Sequence, residues 1–125
     1  MKIVSGNTSK GGHAPPGIIS HGMLYISGQH PIDPATGKLA AGGATEQTKT
    51  ALENLDRVLT AAGVTKDAVI HCRVYVPDVA LWNEVNAAYA EFFGEHKPTR
   101  VIVPTNALHH GALVEIEATA ELEEV

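Results

Sequence analysis

Two side chains stand out for the chemistry they could do. Arg100 lies in the short apolar segment Thr99-Arg100-Val101-Ile102-Val103-Pro104. Its planar guanidinium can hold a small carboxylate through two parallel hydrogen bonds, where Lys would supply the charge without the fork. Glu115 lies near the start of the alternating run Val114-Glu115-Ile116-Glu117-Ala118-Thr119-Ala120-Glu121-Leu122. A partly buried carboxylate with a raised pKa, one hydrogen bond from a water, can move a proton between that water and a nitrogen. Glu117 and Glu121 fall on the same side of that strand, so the choice among the three is left to geometry. The same residues also admit a plainer arrangement, a structural ion pair between Arg100 and Glu115 or Glu117. Seven His residues show no metal-ligand spacing, and the adjacent His109 and His110 suit an exposed turn better than a shared ion.

The elements that must position these groups follow from periodicity. Gly, Pro and Asp punctuate the first forty residues, with short candidate strands at 2–5, 17–21 and 23–28 between the turns. Ala51, Leu52, Leu55, Val58, Leu59 and Ala62 then form one helical stripe, and Gly63 stands where a left-handed C-terminal cap belongs. Leu81, Trp82, Val85, Ala88, Tyr89 and Phe92 repeat the stripe, with Asp78 as candidate N-cap and Gly94 as stop. Strands are expected over 69–76, 100–104 and 114–122, the last with Val114, Ile116, Ala118, Ala120 and Leu122 opposing the three Glu residues and Thr119. In the first, Ile70, Cys72, Val74 and Val76 are expected to face the core, which makes Cys72 an inert buried thiol. The order of three strands, helix, strand, helix and two strands fits an α+β pair of layers, both helices on one face of a mixed sheet. The other face is expected to carry His71, Arg73, Tyr75, Arg100, Glu115 and Glu117. Such a face is either solvated or packed against other subunits.

Composition narrows the function. The chain of 125 residues has the length of one domain, expected to span 1–125. Nine Lys and Arg against fourteen Asp and Glu give a net charge of −5, which argues against a nucleic-acid partner. A single Cys allows no internal disulfide. No apolar run reaches the length of a signal-peptide core or a membrane span, so a cytoplasmic protein with no membrane partner is expected. A core this small favours oligomerisation.

Several runs resemble the RidA (YjgF-type) family of enamine and imine deaminases. Leu24-Tyr25-Ile26-Ser27-Gly28-Gln29 with Pro31-Ile32-Asp33-Pro34-Ala35-Thr36-Gly37 resembles that family's Ser-Gly-Gln strand and turn. Glu46-Gln47-Thr48, Ala51-Leu52-Glu53-Asn54-Leu55 and Asn86-Ala87-Ala88-Tyr89 with Phe92-Phe93 resemble its two helices. Lys97-Pro98-Thr99-Arg100 and Gly111-Ala112-Leu113-Val114-Glu115-Ile116-Glu117-Ala118 resemble its C-terminal signature. The match covers roughly residues 17–122.

The resemblance implies a chorismate-mutase-like α+β fold, a mixed six-stranded sheet with two helices on one face, and a homotrimer with ligand clefts between subunits. It implies hydrolysis of 2-aminoacrylate and related 2-imino acids to 2-keto acids and ammonium, with no cofactor and no metal. Such an activity clears intermediates released by pyridoxal-phosphate enzymes. Arg100 matches the family's carboxylate-binding Arg, and Glu115 matches its catalytic Glu. Ser27 and Gly28 match a pocket wall, and Asn86 a pocket-lining Asn. Ile102 stands where many relatives have a Cys that is used through its backbone. The chain departs from the pattern at Ala14-Pro15-Pro16-Gly17, which lacks the usual Tyr, at Val101, and at Leu108-His109-His110. His13 lies beside the altered wall and is expected to be an exposed loop residue. Two other functions remain open: a non-catalytic trimeric binding module for small carboxylates such as 2-keto acids, and RNA cleavage, against which the acidic charge counts.

Overall fold

The computed structural model describes residues 1–4 and 12–122. Ser5, at the end of the first expected strand, and Gly11 lie outside them. Eight strands and two helices follow in the order β1 (Lys2–Val4), β2 (Gly17–Ser20), β3 (Met23–Gln29), β4 (Ile32–Asp33), β5 (Lys38–Leu39), α1 (Ala44–Ala61), β6 (Val69–Val76), α2 (Trp82–Phe93), β7 (Thr99–Pro104) and β8 (Glu115–Glu121). Six strands form one sheet in the order β1-β2-β3-β8-β6-β7, parallel at β6–β7 and antiparallel elsewhere. The parallel pair needs a crossover, and α2 supplies it. The turn read at Asp33–Gly37 closes a separate two-stranded ribbon, β4–β5.

Both helices cover one sheet face. Leu52, Leu55 and Leu59 of α1 and Val85, Tyr89 and Phe93 of α2 meet Leu24, Val74, Ile116 and Ala120 of the sheet. Each fully buried Leu contributes about 1.5–3 kcal/mol through removal of apolar surface from water. Helix α1 ends as expected. Gly63 has φ +85°, its N–H donates to Thr60 O at 3.0 Å, and Val64 N–H donates to Leu59 O at 3.0 Å. That pairing is a Schellman motif. Helix α2 stops at Gly94, with φ +65° and an N–H bonded to Ala90 O. Asp78 caps a short 3-10 turn, Val79–Leu81, that runs straight into α2, so it acts one element earlier than expected.

Two face assignments differ from the sequence reading. The register between β6 and β8 shifts between Val69 and His71, so Val69 is buried while Ile70 is 44% exposed. A bulge inserts one residue, and one residue is enough to exchange the faces. Beyond it Cys72, Val74 and Val76 are buried as expected, and burial pushes the Cys72 thiol up to about 11. The second correction concerns β7, where Arg100 is paired with Cys72 and Val101 with Arg73. Arg100 therefore points to the helix side, and Val101, 45% exposed, points to the open face.

Candidate active site

Arg100 projects from the edge strand β7 toward α2. Its Nη1 donates to Asn86 Oδ1 at 2.7 Å, and its guanidinium lies over the Tyr89 ring at 4.8 Å and near the Trp82 ring at 5.6 Å. Asn86 is thus turned inward on α2 and holds the guanidinium. Trp82, expected in the apolar stripe, stands at its exposed edge beside Arg100. A cavity of about 400 Å³ opens here, lined by Asn86, Tyr89, Phe93, His96, Lys97 and Arg100. The Tyr89 hydroxyl is buried with no hydrogen-bond partner among the described residues, and burial first of all raises its pKa and keeps it neutral. Among the described residues no carboxylate comes within ion-pair distance of Arg100. The structural ion pair with Glu115 or Glu117 does not form within the chain.

Glu115 stands on the open face of β8, opposite Tyr75. Its carboxylate folds over Gly28, so close that a β-carbon at position 28 would overlap Oε2. Its other oxygen, Oε1, faces His30 Nε2 at 3.2 Å. This contact reverses one expectation. The hydrogen bond from His30 outweighs the effect of burial, and with the charges of His30 and His109 it holds Glu115 below the usual carboxylate range rather than above it. The same hydrogen bond raises His30 above the ordinary imidazole value, against the lowering effect of burial. Geometry also separates the three strand carboxylates. Glu117 accepts from the Tyr75 hydroxyl and lies 3.9 Å from Arg73, and Glu121 is exposed at the strand end. Of the three, Glu115 is the one whose carboxylate lies over Gly28.

Ser27 is engaged by the Pro15-Pro16 segment. Its Oγ donates to Pro15 O at 2.7 Å, and its N–H donates to Pro16 O at 2.9 Å. A shallow depression of about 250 Å³ lies here, lined by Pro15, Gly17, Ile18, Tyr25, Ser27 and Glu117. His13 is exposed, as are His109 and His110.

The site residues therefore come in two groups. Arg100, Asn86 and Ile102 share the α2 side of β7, while Ser27, Gly28 and Glu115 cluster where β3 meets β8 on the open face. One chain does not bring the two groups together. Sequence reasoning missed His30, whose only signal was its place directly after Ser27-Gly28-Gln29, and Asn54, which pins the loop beneath it.

The sequence model described as Endoribonuclease L-PSP matches residues 8–122. The chain belongs to this family, that of RidA and YjgF. It is 45% identical over 98 residues to a RutC family protein of Pyrococcus horikoshii, covering 78% of each chain. It is 39% identical over 97 residues to human 2-iminobutanoate/2-iminopropanoate deaminase, covering 78% of this chain and 71% of the human one. Among solved structures it resembles Escherichia coli TdcF with bound serine, with a TM-score of 0.91 and 30% identity over 98% of this chain and 100% of that one. The fold of this RidA-family chain is the chorismate-mutase-like α+β fold, and no helix among the described residues is long and apolar enough to cross a membrane.

Proposed function

We propose that this RidA-family protein is a hydrolytic deaminase of 2-imino acids and their enamine tautomers, 2-aminoacrylate among them. It acts in the cytoplasm, in clefts built between copies of the chain in a homotrimer. The observation that carries this reading is Arg100, a half-buried cation whose partners among the described residues are all neutral, which leaves it available to an incoming carboxylate. The name of the human relative and the serine bound to TdcF support the same class of ligand, a small 2-substituted carboxylate.

In this reading one copy supplies Arg100, steadied by Asn86, with the Ile102 backbone beside it. A second copy supplies the Ser27–Gly28 wall and Glu115. The guanidinium fork fixes the substrate carboxylate, which places the adjacent C=N carbon near the carboxylate held over Gly28. Glu115 orients a water, takes one of its protons as the C–O bond forms, and the C=N electron pair moves to nitrogen. Returning that proton to nitrogen gives the carbinolamine. Glu115 then takes the hydroxyl proton and passes it to the NH2 group, so the C–N bond breaks with ammonia leaving as the C=O bond of the 2-keto acid forms.

Semicarbazide competition tests this. An amino-acid oxidase generates 2-imino acids from several L-amino acids, and the protein competes with semicarbazide for them. Wild type is expected to outrun trapping, and Arg100→Ala to lose about a hundredfold in rate, as two charge-assisted hydrogen bonds are removed. If wild type leaves trapping unchanged for every imine, the deaminase reading is wrong and a binding module for small carboxylates takes its place.

A further inference from the structure

His30 is the imidazole that contacts the Glu115 carboxylate. It follows β3 in a loop that the fold holds from two sides. Asn54 on α1 donates to the carbonyls of His30 at 3.0 Å and Ile32 at 2.9 Å, and Pro31 between them is fully buried. The ring is thereby delivered to Glu115 Oε1, and Glu115 Oε2 is left over Gly28. A carboxylate with one oxygen tied has one oxygen to offer a water, and its orientation is fixed by the tie.

We propose that His30 is a positioning residue for Glu115, and that its protonation makes this site lose turnover at mildly acid pH. The inference rests on the deaminase reading above and names a regulation of that same site. Neutral His30 donates Nε2–H to Oε1 and leaves Oε2 free to accept a proton from water. Protonated His30 places a full positive charge against the same carboxylate, which lowers its proton affinity and slows proton removal. The raised pKa of His30 puts this change at the upper side of the ordinary imidazole range, so turnover falls as pH drops through it. The other charged or titratable groups around the ring act in the same direction or stand further off. The His109 ring lies 6.1 Å away, edge-on, with the His110 ring tilted against it at 3.7 Å. From α1, Arg57 reaches the site only through its hydrogen bond to Asn54.

The test compares kcat/KM of wild type, His30→Gln and His30→Ile by semicarbazide competition between about pH 5.5 and pH 8.5. Gln retains a hydrogen-bond donor but cannot charge, and Ile removes both. Wild type is expected to lose at least about threefold more activity than His30→Gln toward the acid end. At the alkaline end Gln is expected to stay near wild type and Ile to fall well below it. Superimposed pH profiles of an active wild type and His30→Gln would overturn the inference. An NMR titration of the His30 ring provides a reading without turnover. Its pKa is expected to drop in Glu115→Gln, and no change there also overturns the inference. If no protein in the series beats trapping while the NMR coupling holds, the deaminase reading is what has failed, and with it the control of turnover.

Discussion

Glu115 owes its position to two neighbours of unlike kind: an imidazole that ties one oxygen and a glycine that leaves room for the other. Gly28 is not in the left-handed region, so an Ala fits its backbone, and only the Glu115 carboxylate has to move. Gly28→Ala is therefore expected to keep the thermal midpoint within about 2 °C, as a change confined to a flexible side chain does. Its kcat/KM is expected to fall about tenfold or more because the carboxylate is displaced from the wall. Thermal unfolding beside semicarbazide competition checks both halves, and unchanged activity would mean the oxygen over Gly28 does no chemistry. At this scale the sequence made Arg100, Glu115 and Gly28 readable through their motifs. It hid His30, because a histidine in a loop shows nothing of a carboxylate 85 positions further along the chain.

Elements were readable wherever one face was much drier than the other. Strand β8 alternates cleanly, with Ile116, Ala118 and Ala120 buried and Glu115, Glu117 and Thr119 on the open face, as expected. Strand β7 gives no such contrast, since Val101, Ile102 and Val103 are apolar on both sides of an edge strand, and its parity could not be settled without its partner β6. Ile70 was misplaced for a related reason, because a bulge leaves no mark in the composition of the strand. Helix ends were readable because glycine chemistry is local. Gly63 carries φ +85° inside the Schellman motif and meets nothing within 4 Å, so the cost of a side chain there is conformational alone. Gly63→Ala is expected to destabilise by about 1–2 kcal/mol. The midpoint of thermal unfolding would fall by several degrees with activity per folded molecule unchanged. An unshifted midpoint would show that the turn can relax out of the left-handed region.

At the scale of the whole molecule, the two groups of site residues pose a geometric problem that one chain cannot solve. Arg100 is on the helix face of an edge strand, and Glu115 is on the opposite face beyond β6. The open face also presents Tyr25 and Val101, 52% and 45% exposed, among its charged residues, a mixture suited to contact with another copy. A homotrimer joining the Arg100 side of one copy to the Glu115 side of the next makes a specific demand on inactive variants. In a ring built from Arg100→Ala and Glu115→Gln chains, every mixed trimer contains one cleft with both residues intact. Random assembly from equal amounts then restores about one quarter of wild-type clefts. Co-expression followed by semicarbazide competition reads that fraction, with each variant alone as the baseline and sedimentation confirming the trimer mass. Recovery near one quarter places the two residues on different copies. No recovery in trimers shown by mass spectrometry to be mixed would mean that a single chain carries both residues of its own cleft, so that the two groups would have to approach each other by rearrangement of the chain itself.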